Sequence, residues 1–125
     1  MASTKTTARG YKDLLVWQKA MLAVKDIYTL TRQFPADERF GLISQMRRAA
    51  VSVPSNIAEG QARHSTGEFI QFISNAEGSV AELATQFMIA IDLSYCTGSD
   101  AQPILNLLEK LRKMLNSLRR SLQGL

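Results

Sequence analysis

The chain is poor in the residues that build chemical sites. Its 125 residues include one cysteine, one histidine and one tryptophan. Cys96, alone, cannot close an internal disulfide; that fits a reducing cytosol and makes it a small core filler near a helix end rather than a nucleophile. His64 stands at a predicted helix–helix connection, distant in sequence from Cys96, and offers no clustered ligand set for zinc. No apolar run approaches the ~20 residues that a bilayer-spanning helix needs, which excludes such a span. Met1–Gly10 carries Lys5 and Arg9 but no apolar stretch, so it is expected to be a disordered basic tail and not a secretory signal. Gly67 and Gly78 belong to no glycine-rich loop with a following lysine, so no phosphate loop is present. There is no zinc-finger, helix-turn-helix or RNA-recognition motif, and no nucleophile that sequence ties to a base. These absences leave no catalytic residue, metal site or cofactor to name.

What is present is helical pattern and uneven charge. Hydrophobic residues make up 46% and charged residues 21%, enough to bury a core in one domain spanning residues 11–125. No alternation of period two is long enough for a sheet. The formal charge is +4, with a pI near 9.5. Its distribution matters more than its size. Residues 65–97 hold Glu68, Glu77, Glu82 and Asp92 without a lysine or arginine, whereas the following segment packs Lys110, Arg112, Lys113, Arg119 and Arg120 close together. One helix is thus acidic and the next basic.

A first helix is expected from about Asp13 to Arg32, with Leu14, Trp17, Met21, Val24, Ile27 or Tyr28, and Thr31 on one face. It stops at Gln33-Phe34-Pro35, because the residue before proline avoids the helical region. A second starts near Asp37, with Asp37 and Glu38 in its first turn. Its apolar seam Ile43, Met46, Ala50, Val53 and Ile57 runs through Pro54 to about Ala62. Proline within a helix costs roughly 3 kcal/mol. Since the periodicity keeps its phase on both sides, Pro54 is expected to kink the helix; two short helices are the alternative. Ser65 and Glu68 form a capping-box pattern opening a third helix of about thirty residues, roughly 45 Å long. Its stripe is Phe69, Ile73, Ala76, Val80, Leu83, Phe87, Ala90 and Ser94, and Gly78-Ser79 lets a neighbouring helix approach closely. Gly98 is placed to terminate it, and Ser99 to Gln102 offers a cap for the last helix. There Ile104, Leu108, Leu111, Leu115, Leu118 and Leu122 alternate steps of four and three. Four amphipathic helices with short links predict an all-α, antiparallel up-down-up-down bundle.

Two constellations remain. Arg47, Arg48, Ser52, Asn56 and Glu59 run beside the core seam of the second helix. Polar groups in a bundle must find partners, so these are expected to fix packing or subunit geometry rather than contact a ligand. Lys110, Arg112, Lys113, Arg119 and Arg120 are either a solvated helix face or a phosphate-contacting surface, sequence-independent and salt-sensitive. The aromatics Trp17, Tyr28, Phe69, Phe72 and Phe87 are better explained as core than as a base-stacking platform.

Val16-Trp17-Gln18-Lys19-Ala20, Phe34-Pro35, Phe40-Gly41-Leu42 and, above all, Arg47 to Gly60 resemble the four-helix bundle family associated with intervening sequences of bacterial 23S rRNA genes. Gly78-Ser79, Glu82-Leu83 and Tyr95 continue the resemblance; Ser94 departs from the glycine expected before Tyr95, which bears on the end of the third helix. The resemblance implies a left-handed antiparallel bundle assembling into a ring-like homopentamer. It is also similar to the accessory protein of diversity-generating retroelements, which works with a reverse transcriptase and nucleic acid. The expectation is therefore a non-enzymatic, cytoplasmic oligomer. It binds RNA or another nucleic acid through the basic cluster, with Lys5 and Arg9 as an arm. The alternative is a scaffold whose charges pair within the oligomer or on a partner protein.

Overall fold

Aliphatic and small side chains recurring at steps of three and four draw each segment into a helix with one buried stripe. The computed structural model describes residues 10–125; the expected tail, with Lys5 and Arg9, lies outside them. The helices are α1 (Leu15–Thr31), α2 (Leu42–Gln61), α3 (Thr66–Asp92) and α4 (Gly98–Leu122), with short 3-10 turns at Tyr11–Asp13 and Ala36–Glu38. Among the described residues there is no strand.

The helices form a four-sided bundle. Each of α1–α2, α2–α3, α3–α4 and α1–α4 packs side by side, and neither diagonal pair comes into close backbone contact. Arg47, near the start of α2, reaches Tyr28 and Thr31 at the end of α1. Gly60, near the end of α2, lies against Phe69 and Phe72 at the start of α3. The link between α3 and α4, residues 93–97, is too short to retrace the ~40 Å of α3.

The core stripes of α2, α3 and α4 are the expected ones over most of their length; Ser94, expected on the α3 stripe, lies beyond the helix and is exposed, and Leu118 and Leu122 on α4 are only partly buried. Ile43, Met46, Ala50, Val53 and Ile57 face Ile73, Ala76, Val80, Leu83, Phe87 and Ala90, with Ile104, Leu108, Leu111 and Leu115 closing the third side. Burying each large side chain contributes about 1.5–3 kcal/mol. On α1 the buried line is Val16, Ala20, Ala23, Ile27, Leu30 and Thr31. The expected face through Trp17, Met21 and Val24 is instead a flank. Ala20 and Ala23 are small enough to let the α1 backbone approach the core, so the larger side chains are displaced toward α2.

Three boundaries differ from expectation. First, α2 begins at Leu42, so Asp37 and Glu38 precede it in a separate turn. Glu38 still serves its start, because Oε1 accepts the Leu42 N–H at 3.0 Å while Oε2 accepts the Tyr95 hydroxyl at 2.6 Å. One carboxylate thereby ties the α1–α2 connection to the α3–α4 turn. Second, Gly98 does not end α3; it is the first residue of α4. Ser94 takes the left-handed position instead, with φ 62°. Tyr95 and Ser94 return their N–H groups to the carbonyls of Ala90 and Ile91, both at 2.9 Å, which is the Schellman arrangement. The glycine expected before Tyr95 thus has a physical purpose that Ser94 meets at a conformational cost. Third, Thr97 rather than Ser99 caps α4, its hydroxyl accepting the Asp100 N–H at 2.9 Å. The cap of α3 is the expected one: the Ser65 hydroxyl accepts the Glu68 N–H at 3.2 Å, and the Glu68 carboxylate reaches back to accept that hydroxyl at 3.0 Å.

Helix α2 continues through Pro54 as one element. The proline leaves the Ala50 carbonyl without its helical donor. Close by, the Ser52 hydroxyl donates to the Ala49 carbonyl at 2.7 Å and the Asn56 amide to the Ser52 carbonyl at 2.8 Å.

Candidate functional site

The polar stripe of α2 divides between two sides of the helix. Arg47 turns toward α1, donating from Nε to the Thr31 hydroxyl at 3.0 Å and from a terminal nitrogen to the Tyr28 carbonyl at 3.2 Å. Its guanidinium lies 4.5 Å from the centre of the Tyr28 ring. A cation over the last carbonyls of α1 also complements that helix's dipole. The buried Thr31 hydroxyl donates in turn to the Ile27 carbonyl at 2.7 Å. Arg47 is therefore an internal tie between two helices.

Arg48 and Ser52 face the other way. With Gln45, Ala49, Ser79 and Glu82 they line a shallow groove of about 490 Å³ between α2 and α3. The hydroxyls of Ser52 and Ser79 meet at 2.5 Å across it. From that pair the helices step outward in register, Arg48 against Glu82 and then Gln45 against Gln86, as the i, i+3, i+7 spacing of each helix requires. Arg48 and Glu82 face the same space without forming an ion pair. Gln86, only 5% exposed, donates to Glu82 at 3.2 Å and leaves its own Oε1 buried without a partner. Asn56 uses its amide on the backbone, and Glu59 meets only Arg63 at 3.8 Å, an exposed and weak pair. The expected network of Arg47, Arg48, Ser52, Asn56 and Glu59 is thus three separate arrangements. Sequence spacing alone did not reveal Ser79 and Glu82 as the opposite wall, because only the α2–α3 register brings them there.

The basic cluster of α4 also divides. Arg112 forks onto Glu109 with bonds of 2.9 and 2.6 Å. That bond is the main reason the Glu109 carboxyl is held below its usual range and the Arg112 guanidinium above its own. Arg119 crosses to α3, pairing with Glu77 at 2.7 Å, and is further held by Asn116 at 2.8 Å and Gln123 at 3.2 Å. Lys110, Lys113 and Arg120 remain exposed, and among the described residues none of them has an ion pair. Their steps of three and seven put them on one outward stripe about 15 Å long.

Three of the five aromatics lie in or against the core as expected, whereas Tyr28 and Phe72 lie at its edge, each against an arginine. Phe87 is fully buried, Trp17 and Phe69 pack against the core, and the Phe72 ring carries the Arg63 guanidinium at 4.6 Å. Cys96 is buried; burial first, and the Asp100 carboxylate second, push its thiol up. Tyr95 is likewise held above its ordinary value, chiefly by its bond to Glu38. Glu38 is held below its own, chiefly by the Leu42 N–H and then by Tyr95. Among the described residues no three His, Cys, Asp or Glu side chains cluster as metal ligands, and no helix is long and apolar enough to cross a membrane.

A family model described as 23S rRNA-intervening sequence protein matches residues 12–117. No curated protein matches. A solved structure of a protein of unknown function from the S23 ribosomal protein family of Bacteroides thetaiotaomicron superposes with a TM-score of 0.79 at 22% identity. The match covers 85% of this chain and 99% of that one. At that identity the likeness speaks for the fold.

Proposed function

The chain belongs to the 23S rRNA-intervening sequence protein family, and from that premise we propose that it is a non-enzymatic protein that associates with RNA as an oligomer. The observation that carries the reading is the outward stripe of Lys110, Lys113 and Arg120, three cations left without carboxylate partners on one face. Arg112 and Arg119, which belonged to the same expected surface, are held by Glu109 and Glu77 and contribute less. Such a stripe contacts phosphates without reading base identity, by releasing condensed counterions. Assembly multiplies it: the ring of five that the resemblance implies would carry about +20 from a formal +4 per chain.

Gel-shift titration of the full chain with a structured RNA at two salt concentrations tests this. Three phosphate contacts per chain give a slope of log affinity against log salt of about −2 to −3 for each chain engaged. Replacing Lys110, Lys113 and Arg120 by glutamate is expected to weaken binding more than tenfold, on the order of 1.4 kcal/mol or greater. Absence of binding at low salt, or binding unchanged in the triple variant, would sink the reading.

A second reading has its own observation. The Arg119–Glu77 bond already joins basic α4 to acidic α3 within one chain. A scaffold whose remaining cations dock a partner protein's acidic surface uses the same chemistry. A triple variant that keeps its affinity for RNA but loses a protein partner would favour it.

A further inference from the structure

Gly78 lies in the interior of α3, exposed, where glycine weakens a helix relative to alanine. Apart from its own helix, a methyl group placed there meets no atom of the chain within 4 Å. The fold of one chain therefore supplies no reason for glycine at this position. What a helix gains from an exposed interior glycine is close approach by another backbone. Beside Gly78 runs the α2–α3 groove, floored by Ala49, Ser52 and Ser79 and bearing a cation and a carboxylate that do not pair with each other.

On the opposite side of the bundle, α1 has the complementary feature. Leu15 and Leu22, seven residues apart and therefore in line, are 57% and 53% exposed. Lys19 and Asp26 share that line, and among the described residues neither has an ion-pair partner. The line lies on the flank of α1 away from Trp17 and Val24, which face α2, and so on the α1–α4 side. Ridge and groove thus stand on opposing faces of one molecule.

We infer that the α1 ridge of one chain seats in the α2–α3 groove of a second copy, crossing α3 at Gly78. Leu15 and Leu22 cover the small-residue floor, Lys19 meets Glu82 and Asp26 meets Arg48. The occupant is a second copy because this chain itself presents both halves, with charges of opposite sign facing each other. Contacts between two different faces are head-to-tail, and they either close a ring or run on as a filament. The inference rests on the self-association proposed above and is independent of nucleic acid.

Two variants of the full chain test it. Gly78→Leu fills the approach path while improving the helix, so its Tm should rise. Leu22→Glu, on the opposite face, puts a charge on an already exposed site. Each is expected to weaken self-association on the order of a hundredfold, leaving monomers by native mass spectrometry. The decisive arm is the mixture. The Gly78→Leu chain retains its ridge and the Leu22→Glu chain its groove, so together they should form one-to-one pairs that grow no further. Assembly that survives Gly78→Leu, or variants that stay monomeric when mixed, would overturn the inference while leaving self-association intact. A wild-type chain that is itself monomeric would overturn both. A Lys110, Lys113 and Arg120 triple variant that loses RNA yet keeps the wild-type mass supports the separation of the two surfaces.

Discussion

Gly60 and Gly78 occupy helix interiors in adjacent elements, and the molecule accounts for them in opposite ways. At Gly60 a methyl group would sit 2.8 Å from Phe72 Cβ and 2.9 Å from Phe69 Cδ1. The α2–α3 packing leaves no volume there, and one of those atoms is anchored directly to backbone. At Gly78 the space is open and the position faces outward. Both residues carry the same entropic cost in a helix, so the cost is offset in different places. For Gly60 the offset is the tight crossing inside the chain; for Gly78 nothing in the chain supplies one, and the inferred contact with a second copy would.

The difference can be broken by substitution. Gly60→Ala should give the largest effect: overpacking costs about 1–3 kcal/mol against a helix gain of up to about 1, for a net loss of about 1–2 kcal/mol. Urea unfolding should show this as a lower midpoint with an unchanged slope. A neutral or stabilised variant would mean that Phe69 and Phe72 yield easily and that the crossing is loose. Gly78→Ala should move stability the other way, by about 0.4–1 kcal/mol, because nothing in the chain obstructs the methyl. Measured by the same unfolding at a concentration where the chain is monomeric, a loss would place the reason for Gly78 inside the fold.

The smallest expected effect is in pH dependence and concerns another inward-facing contact, Glu38 between Leu42 and Tyr95. The folded-state carboxyl is held below its ordinary value of 4.5. Its contribution to stability is therefore present above that value and is lost as pH falls through the lowered folded value. Tyr95 has the opposite sign. Raised above 10.0, it contributes fully below that value and loses its contribution as pH rises through the folded one. The gap in Tm between wild type and Glu38→Gln should accordingly be open at neutral pH and close in acid. A gap that stays constant into acid would show that the carboxylate's charge is not what stabilises the connection.

Much of the bundle was legible because it depends on periodicity. The stripe from Ile73 to Ala90 and that from Ile104 to Leu115 are buried as their spacing implied, and α2 passes Pro54 without a break because its seam keeps phase. What misled was local chemistry with more than one solution. Gly98 looked like the helix terminator, yet the Schellman bonds formed at Ser94, where Tyr95 packs back toward the core. Asp37 and Glu38 looked like first-turn acids, yet both lie in a separate turn before the helix, and the Glu38 carboxylate is shared between the Leu42 N–H and Tyr95, fifty-seven residues along the chain. The candidate surface was half legible. Sequence showed that α4 is basic, but not that Glu77 on the neighbouring helix would hold Arg119 and that Glu109 would hold Arg112.

The order of polar and apolar residues, a short-range property, determined by itself that residues 10–125 make four α-helices and which stripe of α2, α3 and α4 is core over most of its length; particular residues, above all Arg47 to Gly60, carried the family resemblance. Tertiary structure decided everything that depends on two helices at once. The α2–α3 register set Arg48 opposite Glu82 and left them unpaired, and the Gly60 crossing closed one glycine off. The bundle's four-sided order put the Leu15–Leu22 ridge across the molecule from the groove beside Gly78. Such facts are fixed by the relative position of backbones about 8–10 Å apart, a distance over which no single helix's sequence carries information.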